Sequence, residues 1–160
     1  MNLFDTYTKT VLLKLNEFGV KYIVIGGYAV NYYGFRRTTG DIDLWIKPEN
    51  GNNKEKLLAA LGELGIPVTS IERLKKMDFT KPQMFVDGKE PFKIDFLTNI
   101  SRVKFDEAWE QKNVTTMDGV KINFLHLNHL IVSKIATGRP QDKIDIEELQ
   151  KIQAIKNKKK

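Results

Sequence analysis

Ile25-Gly26-Gly27, followed after 13 residues by Asp41-Ile42-Asp43-Leu44, is the stretch on which the reading of this chain turns. Ahead of the glycines, Tyr22-Ile23-Val24-Ile25 is a short unbroken apolar run, the pattern of a strand buried on both faces. Gly26-Gly27 breaks it, and Tyr28 to Phe35 reads as a short helix. A second strand is expected over Asp41 to Lys47, ended by Pro48. Side chains alternate along a strand, so Asp41, Asp43 and Trp45 share one face while Ile42, Leu44 and Ile46 take the other. Two carboxylates roughly 7 Å apart on one face repel each other unless a positive charge sits between them. A hard divalent cation such as magnesium meets that need and keeps sites for water and phosphate. Between strand and helix, the glycines turn backbone N–H groups and the positive helix end toward an anion, and no Cβ atom blocks its approach. Alone, a Gly-Gly is more often a turn and an Asp-x-Asp more often a solvated edge. Their order and spacing together single them out.

Working outward, residues 4–18 carry Phe4, Tyr7, Val11, Leu12, Leu15 and Phe18 near helical period, with Gly19 as a stop. Asn53 to Leu64 is an amphipathic helix with Leu57, Leu58, Leu61 and Leu64 on one side. Val68 to Pro82 reads as mixed strand, turn and short helix. Gln83 to Val86, a turn at Asp87-Gly88, and Phe92 to Leu97 predict a hairpin. In its second arm Phe92, Ile94 and Phe96 share a face and Asp95 lies opposite, so a third carboxylate joins the first two if this strand pairs beside them. Three acids on neighbouring strands suit two-metal phosphoryl transfer. Phe105 to Lys112 is a short helix, Asn113–Met117 and Val120–Leu125 a second hairpin about Asp118-Gly119, and Leu127–Thr137 an apolar helix closed by Gly138. Pro140 opens a last helix to about Ile155. The order predicts an α/β (α+β) domain with a mixed sheet, not a doubly wound parallel one.

At the glycine turn and the two acids the sequence resembles the nucleotidyltransferase superfamily, which includes DNA polymerase β and small antibiotic nucleotidyltransferases. Arg36-Arg37-Thr38-Thr39-Gly40-Asp41-Ile42-Asp43 is most similar to bacterial members related to abortive-infection and toxin–antitoxin nucleotidyltransferases. The resemblance implies a mixed sheet flanked by helices, with C-terminal helices 127–155 completing a cleft. It implies Asp41, Asp43 and Asp95 as catalytic metal ligands for Mg2+ or Mn2+. Gly26, Gly27, Arg37, Thr39 and Lys134 are then the nucleotide-binding residues, for a nucleoside triphosphate such as ATP. Leu130-Ile131-Val132-Ser133-Lys134 and Arg139-Pro140-Gln141-Asp142-Lys143-Ile144-Asp145 resemble the same relatives. Asp142 and Asp145 either orient Lys134, serve as a base, or complement the helix dipole. Many relatives carry a serine at the second glycine, so here backbone donors stand in for its hydroxyl.

The rest bounds the function. No cysteine excludes a disulfide framework, a thiolate zinc site and a cysteine nucleophile. No signal peptide or membrane-length apolar run is evident, so a soluble, cytoplasmic protein without a membrane partner is expected. The formal charge is +6, but Lys156, Lys158, Lys159 and Lys160 supply four of those positives, in a tail (156–160) expected to be disordered. That tail is either a solvated end or an arm for RNA. His126 and His129 lack the partners of a zinc site. Tyr28, Tyr32 and Tyr33 either stack on a base or pack in the core. Arg36 and Arg37 bind phosphate or sit at the surface, and Trp45 walls the site or covers it. The expected activity is metal-dependent transfer of a nucleoside monophosphate to a hydroxyl of RNA, a protein or a small molecule, toxin-like where an antitoxin partner exists. The alternatives are a non-catalytic nucleotide-binding or interaction module on the same fold, and a domain whose Asp-x-Asp is incidental.

Overall fold

In the computed structural model, which describes residues 5–89 and 92–159, the chain runs α1 (Thr6–Glu17), β1 (Tyr22–Ile25), α2 (Gly26–Tyr32), β2 (Ile42–Ile46), α3 (Asn52–Glu63) and α4 (Val68–Lys76). It continues through β3 (Met84–Lys89), β4 (Phe92–Leu97), α5 (Phe105–Gln111), β5 (Asn113–Met117), β6 (Val120–Phe124), α6 (Leu127–Thr137) and α7 (Pro140–Lys158). Phe4, expected in the first helix, and Lys160, expected in the tail, lie outside the described residues. Helix α7 runs past Ile155, so Lys156 and Lys158 are helical.

The six strands form one mixed sheet in the order β3-β4-β2-β1-β6-β5. Strand β1 is antiparallel to β2 and parallel to β6, and β2 is parallel to β4. Burial follows the alternation: Ile42, Leu44 and Ile46 are at most 1% exposed, and all four residues of β1 are buried. Each such side chain contributes about 1.5–3 kcal/mol. No helix among the described residues is long and apolar enough to cross a membrane.

Local chemistry sets the helix ends. Asp5 caps α1 by accepting from the Thr8 amide at 2.8 Å. Gly138, at φ +63°, ends α6 in the left-handed conformation. Pro140 opens α7, and Asp142 reaches back to the Arg139 amide at 3.1 Å.

Four more expectations change. Val68–Lys76, read as mixed structure, is helix α4. It is tied down by Lys54, 5% exposed, whose ammonium donates to the Lys75 and Met77 carbonyls at the end of that helix. The turn placed at Asp87-Gly88 is instead strand: Asp87 pairs with Ile94 and Gly88 with Lys93, and the reversal falls on residues 90 and 91, outside the described residues. The Tyr7 hydroxyl donates to Asp87, so a contact from α1 and the continuing ladder outweigh the local turn signal. Finally, the helix placed at Tyr28–Phe35 begins at Gly26 itself, and Asp41 lies just before β2 rather than in it.

Candidate active site

The strand register builds the site. Ile25 pairs with Asp43 across β1 and β2, Asp43 with Asp95 across β2 and β4, and Asp95 with Val86 across β4 and β3. Directly paired residues point to the same face. The close acidic pair is therefore Asp43–Asp95, not Asp41–Asp43 as strand alternation suggested. Asp41, one residue ahead of β2, turns toward Lys93 at 3.1 Å.

Burial pushes the Asp43 carboxyl up to about 7, with repulsion from Asp95 and Asp41 adding to it and Arg139 opposing it. One carboxylate oxygen each of Asp41 and Asp95, Oδ1 in both, is buried without a hydrogen-bond partner. Orphaned anionic oxygens beside a like-charged neighbour are the donor chemistry a hard divalent cation satisfies. By donor type the residues fit such an ion. Among the described residues, however, no three carboxylate or imidazole side chains are already grouped to hold one.

The glycines also leave room for side chains of the site itself. Gly26 sits at φ +68°, and a Cβ there would overlap the Asp43 carboxylate. A Cβ on Gly27 would overlap the Thr39 hydroxyl and stand 3.5 Å from Arg37 Nη1. The room that a missing side chain leaves is taken by the site's own Asp43 and Thr39. The turn nevertheless faces the acids.

Opposite lies an ionic cluster built on the buried acids Asp142 and Asp145. Arg37 binds Asp145 through Nε at 2.8 Å and Nη2 at 2.9 Å. Lys134, 6% exposed, meets Asp145 at 2.9 Å and Asp142 at 3.4 Å. Arg139 Nε meets Asp142 at 2.9 Å. Burial works to raise both acids, but donors from Arg37, Lys134 and Gln141 hold the Asp145 carboxyl below its usual range. Against the same burial, Arg139, Thr137 and Lys134 hold the Asp142 carboxyl down. Of the readings open for these acids, orienting Lys134 and capping the helix are both visible in Asp142.

One cavity of about 270 Å³ collects Gly26, Gly27, Arg37, Thr39, Asp41, Asp43, Asp95 and Lys134, the residues that the resemblance assigned to metal or nucleotide, with Arg139, Gln141 and Asp142. It joins a second lobe of about 370 Å³ through Asp43, Asp95, Lys134 and Arg139, and there Leu97, Ile100, Leu130 and Ser133 line the wall. The sequence did not point to Asn99, Ser101 or Ser133, since isolated polar residues in loops and helices carry no spacing signal. Arg139 carried one: it stands before a helix-opening proline, three residues ahead of Asp142.

The other candidates fall away from the cleft lining. Trp45 is 1% exposed, donates to the Thr98 carbonyl at 3.2 Å and meets Phe105 edge-on. Tyr32 stacks on Phe124, and the Tyr33 hydroxyl donates to the Leu125 carbonyl at 2.6 Å. His126 caps α6 by accepting from the Asn128 amide, and its ring centre is 6.2 Å from that of His129.

A mixed sheet with two acids on adjacent parallel strands, facing a glycine turn and a cationic wall, has the architecture of a nucleotidyltransferase-like fold. Residues 5–160 match the family described as nucleotidyl transferase of unknown function (DUF2204), and the chain belongs to that family. No curated protein matches it in sequence. Among solved structures it is similar to the antibiotic-resistance factor ANT(2'')-Ia in solution, at 14% identity and a TM-score of 0.55, over 96% of this chain and 91% of that one. It is also similar to the lincosamide antibiotic adenylyltransferase LnuA bound to lincomycin, at 14% identity and a TM-score of 0.53, over 95% and 99% of the two chains. The ANT(2'')-Ia complex with adenylyl-2''-tobramycin gives 14% and 0.54, over 93% and 92%.

Proposed function

We propose that this chain transfers a nucleoside monophosphate from a nucleoside triphosphate to an acceptor hydroxyl, in a reaction that depends on Mg2+ or Mn2+. The observation that carries the reading is the Asp43–Asp95 pair, set in register beside the Gly26 turn and within one cavity with Lys134 and Arg139. Asp43 and Asp95, with Asp41 released from Lys93, would hold the cation, which supplies charge neutralisation at the phosphates. The Gly26-Gly27 amides, Thr39, Arg37, Lys134 and Arg139 bind and orient the triphosphate. The acceptor oxygen forms a bond to the α-phosphorus, the α–β bridging P–O bond breaks, and pyrophosphate leaves with its electrons. Asp95 takes the hydroxyl proton. Positioning and preorganised charge supply the rate.

The structural neighbours captured with lincomycin and with adenylyl-tobramycin support a small hydroxylated molecule as the first acceptor class to test. RNA and protein hydroxyls come next, and a toxin-like role with an antitoxin partner belongs with those two. Label transfer from a triphosphate radiolabelled at the α-phosphate, with magnesium and each acceptor class, tests the reading. Transfer that is undiminished in Asp43→Ala/Asp95→Ala would overturn it.

One observation favours a second reading, a non-catalytic interaction module: Arg37 and Lys134 are already paired with Asp145, so phosphate must compete with it. No triphosphate binding, with or without magnesium, would select that module.

A further inference from the structure

The two lobes of the cleft meet at Asp43, Asp95, Lys134 and Arg139 but differ in what else they offer. The smaller carries Gly27, Arg37 and Thr39, groups suited to a polyanion. The larger is walled by Met84, Leu97, Ile100 and Leu130, with neutral polar groups from Asn99, Ser101 and Ser133. Its volume, about 370 Å³, falls in the range of about 300–1,000 Å³ typical of small-molecule sites. Among the described residues, the side chains of Asn99 and Ser101 have no hydrogen-bond partner. The Ser133 hydroxyl donates to the Leu130 carbonyl at 2.9 Å and keeps its lone pairs for a donor.

In an in-line displacement the attacking oxygen and the departing pyrophosphate lie on opposite sides of the phosphorus. With the triphosphate on the side of Gly27, Arg37 and Thr39, the attacking hydroxyl enters from the larger lobe, which Asp95 also lines. Charge then narrows the acceptor. Among the described residues, the acids of that lobe are Asp43 and Asp95, and the proposed reaction commits both to the metal. Its bases, Lys134 and Arg139, are already paired with Asp145 and Asp142. A cationic acceptor would therefore meet a metal ion and find no carboxylate left to pair with. No aromatic ring lines the lobe among the described residues, and its aliphatic walls suit an alkyl group.

Given the transfer reaction assigned above, on which this rests, we propose that the larger lobe is the acceptor site. It takes a small hydroxylated molecule with an aliphatic portion and no positive charge. The alkyl part packs on Leu97, Ile100 and Leu130, and the hydroxyls bond Asn99, Ser101 and Ser133. The reacting hydroxyl is the one that reaches Asp95. Polycationic acceptors are refused because the lobe holds no acid beyond those that bind the metal.

The test uses the full isotope-labelled chain and two probes, butyl glucoside and the same glucoside with an ammonium group in place of its primary hydroxyl. Each is titrated alone and again with magnesium and a non-hydrolysable triphosphate. The neutral probe is expected to shift the nuclear resonance signals of Leu97, Ile100 and Leu130 in both conditions. The ammonium probe is expected to bind about tenfold more weakly. Ser133→Asp adds a carboxylate to the lobe and should bring the two affinities level; if it unfolds the chain, Ser101→Asp carries the test. No shift at those three residues, or ammonium binding as tight as neutral binding in the parent chain, would overturn the proposal. So would displacement of the glucoside by the triphosphate, which gives the lobe to the nucleoside. Triphosphate binding is read in the same samples, and its failure to depend on magnesium would overturn the reaction, while the probes titrated alone still decide the preference of the lobe.

Discussion

Gly26 and Asp43 occupy each other's space: the carboxylate of Asp43 fills the volume that a side chain on Gly26 would need. The glycine also holds φ +68°, where an L-residue is strained. Gly26→Ala therefore meets two penalties. It is expected to lose about 1–3 kcal/mol of stability in urea denaturation, and to lose activity as well because Asp43 must move.

Asp145 is the keystone of the cationic wall. It is fully buried and accepts from Arg37, Lys134 and Gln141. Removing it leaves Arg37 and Lys134 without their shortest anionic partner. Asp145→Ala should cost about 3–5 kcal/mol, more than the loss of a surface ion pair, read as a lowered denaturation midpoint.

The same cluster sets an acid limb. Asp142 and Asp145 are held below their usual range in the folded chain, so both bind protons more readily when unfolded. Their stabilisation is complete above the unfolded value of about 3.9 and is lost as pH falls below it. Denaturation midpoints measured from neutral pH down to pH of about 3 should fall steeply in the parent chain. Asp142→Asn/Asp145→Asn should start lower and show a flatter acid limb.

Asp43 behaves in the opposite sense, because its charged form is disfavoured by burial and by Asp95. Asp43→Asn removes the repulsion while keeping the shape. In metal-free buffer at neutral pH it should gain about 0.5–2 kcal/mol of stability while losing activity, the trade expected of a residue retained for function. Added magnesium should raise the melting temperature of the parent chain but not of this variant.

How far the sequence carried this reading follows from which forces are local. Alternation in Asp41-Ile42-Asp43-Leu44 and in Lys93-Ile94-Asp95-Phe96 is a property of adjacent residues, so the acid-bearing strands and their inward faces were legible. The choice of partner was not, because Asp43 meets Asp95 through a parallel pairing of residues far apart in the chain. Asp142 and Asp145 looked like ordinary helix-start acids until Arg37, 108 positions away from Asp145, closed on it. Helix α4 was obscured for a similar reason. Val68 is 76% exposed and Leu74 is the one buried residue of the helix, so its apolar face is narrow, and Lys54 reaches from α3 to bond its end. Lys54→Met should accordingly cost about 1–3 kcal/mol by leaving the carbonyls at the end of α4 unsatisfied, and should raise hydrogen exchange across Val68–Lys76 first.

The central claim is that Asp43 and Asp95 hold a divalent cation against a triphosphate. Calorimetric titration of a non-hydrolysable nucleoside triphosphate, with and without magnesium, tests it without knowledge of the acceptor. Binding that requires magnesium in the parent chain and disappears in Asp43→Asn and in Asp95→Asn is the predicted result. Equal affinity with and without the metal, or full affinity in both variants, would contradict it.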